Sequence, residues 1–122
     1  MSAASPLAVI IEDDAAAAEA LTLILRDWGA DVVHGLTPQS AVETLGPRAR
    51  GARWIITDFN LGAPGDSISL LPALMSAAPD ARVLILSGSL HGRANAEAAA
   101  AGFEIMRKPA RADAIIAWLE RT

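Results

Sequence analysis

The sequence contains no cysteine. A disulfide framework, a thiolate metal site and a cysteine nucleophile are therefore excluded. The same absence is compatible with a reducing compartment. The N-terminus lacks the basic start and long apolar stretch of a secretory signal. Apolar runs such as Leu7 to Ile11 fall far short of the ~20 residues needed to cross a bilayer, so a soluble, cytoplasmic protein with no membrane attachment is expected. Basic runs are missing too. With 10 basic against 14 acidic residues and a net charge of −4, no stripe of Lys and Arg offers itself to nucleic acid. Internal repeats and linker-like tracts are also absent.

What is present suits one compact domain. The 122 residues are 52% hydrophobic and 20% charged, enough to bury a single core and too apolar for a disordered chain. A single domain over residues 1–122 is expected. Three continuous apolar runs stand out: Leu7 to Ile11, Trp54 to Thr57 and Val83 to Leu86. Runs without polar alternation suit strands covered on both faces, as in parallel sheets. Asp31 to His34 and Glu104 to Met106 are weaker strands, expected nearer the sheet edges.

Helical signals lie between the runs. Ala17, Ala20, Leu21, Ile24, Leu25 and Trp28 form one stripe over Ala15 to Trp28, and Gly29 ends it. Thr37-Pro38 reads as a cap followed by proline at the first helical position, opening a helix to Leu45. Ser67 would cap a helix over Ile68 to Ala77, with Pro72 near its first turn. Asn95 to Ala101 is alanine-rich and stopped by Gly102. Arg111 to Leu119 closes the chain, with Ile115, Ile116 and Leu119 facing inward. Strand and helix thus alternate five times, which predicts an α/β doubly wound fold. Right-handed crossovers place helices on both faces, and the expected order of the five parallel strands is 2-1-3-4-5.

Ligands of such sheets bind beyond the carboxyl ends of the strands, where the order reverses. Glu12-Asp13-Asp14 follows the first run and Asp58 the third. Ser87-Gly88 ends the fourth, and Lys108-Pro109 comes one residue after the fifth. Acids, a hydroxyl and an ammonium should meet at one sheet edge. Clustered carboxylates stay ionised only with a cation nearby, and hard oxygen donors with open water positions suit Mg²⁺. A free carboxylate oxygen is a phosphoryl acceptor, and Lys108 and Ser87 can hold the remaining phosphoryl oxygens.

Each residue taken singly has a plainer role. Glu12-Asp13-Asp14 could complement a helix N-terminus, and Asp14 is expected chiefly as its cap. Asp58 could be a turn residue, Ser87 a strand-end hydroxyl, Lys108 a solvated charge and Pro109 a strand terminator. Their joint placement, each just after its own strand, is what favours a site.

These residues resemble the bacterial two-component receiver domain, a flavodoxin-like fold. The similarity runs from about Leu7 to Leu119. It rests on Val9-Ile10-Ile11-Glu12-Asp13-Asp14, Ile56-Thr57-Asp58-Phe59-Asn60-Leu61-Gly62, Leu86-Ser87-Gly88 and Arg107-Lys108-Pro109. The resemblance implies a phosphoacceptor module of a phosphorelay rather than an enzyme turning over an exogenous substrate. Asp58 would accept the phosphoryl group. Glu12, Asp13, Asp58 and the backbone carbonyl of Asn60 would form the Mg²⁺ set, Asp13 directly and Glu12 through water. Ser87 would hydrogen-bond the phosphoryl group, Lys108 would pair with its oxygens, and the Lys108–Pro109 bond would be cis. The donor would be a phosphohistidine on a histidine kinase or histidine phosphotransfer protein. Partners would dock on the first helix, or on the face of helix 4, strand 5 and helix 5, which would also serve a homodimer.

Three features depart from the family pattern. Ile105 stands where the family carries the Tyr or Phe that acts as a rotamer switch with Ser87, and Phe103 lies two residues away on the same strand face. Gly62 stands where proline is frequent, with Pro64 and Gly65 later in that loop. No output domain is expected after the fifth helix. Short segments such as Asp27-Trp28-Gly29 and Lys108-Pro109-Ala110-Arg111 are similar to receivers of hybrid histidine kinases; a free-standing single-domain regulator is the other form. Three other functions compete: a receiver-like module signalling without phosphate, which Ile105 favours, a small phosphatase and a flavin-binding protein. The phosphatase lacks room for a cap domain. The flavin protein would want hydroxyls and glycine, not three acids, after the first strand.

Overall fold

Each apolar run becomes a strand because it is covered on both sides. In the computed structural model, residues 6–58, 72, 74–88, 100, 103–108 and 110–121 are described. The strands are β1 (Leu7–Ile11), β2 (Asp31–Gly35), β3 (Ala52–Asp58), β4 (Arg82–Ser87) and β5 (Glu104–Arg107). They form one parallel sheet in the order β2-β1-β3-β4-β5. Every residue of β1 is buried, and every residue of β3 except Arg53. The more polar β2 and β5 lie at the edges, as their composition predicts.

Alternate side chains enter two apolar layers, as the strand period of two requires. Val9, Ile11, Ile55, Val83 and Ile85 face one layer, with Ala41, Leu45, Leu74 and Ala78 packed on them. Ala8, Ile10, Trp54, Ile56, Leu84 and Leu86 face the other, with Leu21, Leu25, Ile115, Trp118 and Leu119. Helix α1 (Ala15–Trp28) and the C-terminal helix (Ala112–Glu120) therefore cover one face. Helix α2 (Pro38–Leu45) and helical residues 74–77 cover the opposite one.

The helix ends follow local chemistry. Asp14 caps α1 by accepting from the Ala16 N–H at 3.0 Å, and Gly29 closes it at φ 121°, a conformation that glycine adopts without strain. Thr37 and Ser40 form a reciprocal capping box, with Pro38 inside the first turn of α2. The expected Ser67 cap, Gly62 and most of the alanine-rich segment 94–101 lie outside the described residues.

Two inward faces differ from the sequence reading. On α1, Ala18 is buried and Ala20 is exposed. On the C-terminal helix, Trp118 is completely buried while Ile116 is only half-buried. Both helical stripes keep the expected period, but their centres are rotated. An alanine-rich helix has a broad apolar arc, so packing, not composition, chooses the line that meets the sheet.

Gly35 ends β2 where α2 crosses closely. A Cβ there would lie 2.8 Å from the Ala41 Cβ and 2.9 Å from its backbone. Gly35→Ala is therefore expected to destabilise the fold by about 1–3 kcal/mol, the usual scale of overpacking, as read by urea unfolding.

At the amino edge of the sheet, Glu104 gathers three donors. It accepts from Arg82 at 2.8 Å, the Trp118 indole at 2.9 Å and Arg121 at 2.9 Å. Burial would raise the Glu104 pKa, but the Arg82 and Trp118 hydrogen bonds and the Arg121 and Arg82 charges outweigh it and hold it below the ordinary value of 4.5. A lowered acid pKa means stability that is present above pH 4.5 and lost as pH falls through the folded value. Glu104→Gln should thus lower stability at pH 7 by up to about 1 kcal/mol, since the group is partly solvated. Melts of the two proteins should converge as the pH drops below 4.5.

Candidate functional site

Strand register brings the predicted residues together. Ile11 pairs with Thr57, so Glu12 and Asp58 leave neighbouring strands side by side. Asp58 pairs with Leu86, and Ser87 pairs with Arg107. Lys108 follows directly, and its N–H donates to the Ser87 carbonyl at 2.7 Å. The four strand ends thus deliver Glu12, Asp58, Ser87 and Lys108 to one edge.

Glu12, Asp58 and Ser87 are buried, with exposures of 2%, 8% and 3%, whereas Asp13 is open to solvent. One carboxylate oxygen from each of Glu12, Asp13 and Asp58 lies within 4.8 Å of the other two. Lys108 Nζ bridges two of these acids, 2.9 Å from Asp58 Oδ1 and 3.3 Å from Glu12 Oε1. The second Glu12 oxygen accepts from the Asp14 N–H at 3.3 Å. The Thr57 hydroxyl, completely buried, donates to the Asp58 carbonyl at 3.2 Å.

The electrostatics record the crowding. Burial and the Asp58 charge push the Glu12 pKa up, against the Asp14 N–H and Lys108, which pull it down. For Lys108, burial alone would lower the pKa. The hydrogen bond and charge of Asp58, joined by Glu12, outweigh it and hold the ammonium above its usual value. Lys108 stays charged at neutral pH, yet one ammonium does not relieve Glu12. An additional cation is the natural complement of such a cluster. The donors are all hard oxygens, and exposed Asp13 leaves room for water. That chemistry fits a hard, oxygen-seeking divalent cation, not a soft or nitrogen-seeking metal.

Asn60 and Pro109 fall outside the described residues, so the carbonyl ligand and the cis bond are not placed. Ile105 is half-buried, pairs with Ile85 in register and packs into the apolar layer, as does Phe103. The two do share a strand face. Asp14 is a helix cap, as expected.

Sequence reasoning missed His34. In the sequence it is only part of a weak strand, but its Nε2 lies 2.7 Å from the Glu12 backbone carbonyl. Its position at the end of the strand beside β1 was the available signal. A mostly apolar groove of about 430 Å³ also opens beside the acids. Ala17, Leu21 and Ile24 of α1, with Leu86 and Ala110, line it, and Glu12 and Lys108 reach it too. Among the described residues, no helix is long and apolar enough to cross a membrane.

A five-stranded parallel sheet with acids at the carboxyl edge defines a doubly wound α/β protein of the flavodoxin-like class. More narrowly, its fold is that of a response regulator receiver domain. A response regulator protein from Burkholderia pseudomallei, with a phosphorylated aspartic acid, a calcium ion and citrate, is 28% identical with a TM-score of 0.78. That match covers 94% of this chain and 66% of the Burkholderia chain, so this chain spans less than two thirds of that protein's length. The Vibrio cholerae chemotaxis protein CheY4 matches at 19% identity and a TM-score of 0.80, over 97% of this chain and 98% of its own. A CheX-CheY-BeF3-Mg²⁺ complex from Borrelia burgdorferi matches at 17% identity and a TM-score of 0.78, over 93% of this chain and 85% of that one. No family model matches the chain, and no curated protein does.

Proposed function

We propose that the chain is a phosphoacceptor receiver module that takes a phosphoryl group from a phosphohistidine onto Asp58. The observation that carries this reading is the ion pair of Lys108 with Asp58 at 2.9 Å, inside a cluster of three carboxylates. The phosphorylated aspartate and calcium ion in the Burkholderia protein, and the BeF3 and Mg²⁺ of the Borrelia complex, support it.

In the proposed transfer, an Asp58 carboxylate oxygen attacks phosphorus. The new O–P bond forms as the histidine N–P bond breaks, and the nitrogen leaves with its electron pair. Lys108 would pair with the phosphoryl oxygens once they displace part of its bond to Asp58, a role that the 2.9 Å ion pair supports. Ser87, at the end of the adjacent strand, is the proposed hydroxyl partner. Glu12, Asp13 and Asp58 would hold Mg²⁺, with the Asn60 carbonyl as a further ligand. Mg²⁺ when bound would neutralise phosphoryl oxygens and relieve carboxylate repulsion. The groove along α1 supports docking of a histidine kinase or phosphotransfer protein there. The module would work in a bacterial cytoplasm, without turnover of an exogenous substrate.

The test is incubation with acetyl phosphate, with and without Mg²⁺, read by intact mass and peptide mapping. A Mg²⁺-dependent adduct on Asp58 is expected, and an adduct elsewhere sinks the assignment. Ile105 favours a second reading, a receiver-like module that signals without phosphate. Its packed aliphatic side chain has neither the ring nor the hydroxyl of the usual switch. Beryllofluoride separates the two: amide shifts spreading far from Asp58 support phosphate signalling, and their absence supports the second reading.

A further inference from the structure

The segment that carries Asp13 is short, and both of its neighbours are tethered. Asp14 is held by its own cap on the Ala16 N–H. Glu12 is held through its backbone on both sides. Its N–H donates to the Gly35 carbonyl at 3.1 Å, and its carbonyl meets His34 Nε2 at 2.7 Å. The carbonyl is only an acceptor, so Nε2 must carry the proton whatever the charge of the ring. The imidazole lines a groove with Ala15, Ala18 and Glu19, over the first turns of α1. It therefore reaches the β1–α1 connection from the neighbouring edge strand, without touching the acidic side chains through any bond described.

We propose that His34 is the positioning residue of the acidic pocket. By donating from Nε2 to the Glu12 carbonyl, it holds the Glu12–Asp13–Asp14 turn so that Asp13 faces Asp58 across the cation position. This rests on the reading of that cluster as a Mg²⁺ site. The exposed carboxylate of Asp13 is the least restrained of the three acids by its own side-chain contacts, so its aim depends on the backbone beneath it. A group that fixes a ligand without touching the metal typically changes affinity by about 10–100-fold when removed.

Three proteins test this: the native chain, His34→Ala and His34→Gln. Glutamine places a donor nitrogen at nearly the reach of Nε2 but offers no imidazole. Calorimetric titration with Mg²⁺ alone gives the dissociation constant, thermal melts in chelator give stability, and long-range ¹⁵N–¹H spectra of the metal-free native chain give the ring tautomer. The neutral ring is expected as the Nε2–H tautomer. His34→Ala should weaken Mg²⁺ binding about 10-fold, and His34→Gln should stay within about threefold of native. Equal Mg²⁺ constants in native and His34→Ala overturn the proposal, as does a Gln variant no better than Ala or an Nδ1–H tautomer. A purely structural role would lower both melting temperatures and leave the constants together. A native chain that takes up no Mg²⁺ overturns the reading of the pocket itself, and is told apart because the tautomer spectrum still reports the hydrogen bond.

Discussion

Asp58→Asn is expected to take up no detectable phosphoryl group from acetyl phosphate under conditions that label the native chain. The loss should be roughly a hundredfold or more, the scale seen when a reacting group is removed outright. A carboxamide oxygen is a poor nucleophile, whereas the ionised carboxylate supplies the electron pair directly. Its neighbours are unsuited to replace it. Glu12 is equally buried but is bonded to the Asp14 N–H and to Lys108. Asp13 lies in solvent, where water competes for every contact that would hold a phosphoryl group. The substitution also removes one of three clustered charges, so folding should survive it. A circular dichroism spectrum like the native one, together with lost labelling, is the expected pair of results. Labelling of Asp58→Asn equal to native would show that the acceptor has been misassigned.

Trp118→Ala should be the most damaging substitution away from the site. The side chain is fully buried. Its indole donates to Glu104 at 2.9 Å, and the Arg82 guanidinium lies 4.9 Å from its ring centroid. Arg82 also donates to the Trp118 carbonyl at 2.9 Å. Removing a large buried aromatic typically costs about 3–5 kcal/mol, against a total stability of about 5–15 kcal/mol for a domain. A melting temperature lower by roughly 10–20 °C follows for a chain of this size. Trp118→Phe, which keeps an aromatic and loses the donor, should recover most of that loss. Arg82 and Glu104 are the first residues of β4 and β5, at the edge opposite Ser87 and Lys108. Labelling of Asp58 in the cold should therefore persist in Trp118→Ala. A loss below about 1 kcal/mol in urea unfolding would contradict the packing argument.

Much of this protein is legible in its sequence. The continuous apolar runs marked β1, β3 and β4 as central strands, because a strand buried on both faces needs no polar alternation. The more polar runs marked β2 and β5 as edges. Gly29, Thr37-Pro38 and Asp14 set helix ends by local chemistry, which involves residues only a few positions apart. Asp58, Ser87 and Lys108 could be named because strands that run parallel all end on the same side.

Other facts needed the tertiary structure. Ala18 rather than Ala20 meets the sheet, and Trp118 lies deeper than Ile116, because helix rotation is chosen by packing among many apolar candidates. Lys108 divides itself between Asp58 and Glu12, which are 50 and 96 positions away in sequence, and only strand register sets those distances. His34 reaches the Glu12 carbonyl for the same reason. The sequence by itself determined the fold class and the residues at the sheet's carboxyl edge, since both follow from periodicity and strand direction. Which of those residues touch, and which outside residue holds their turn in place, was decided by contacts across strands that no local pattern encodes.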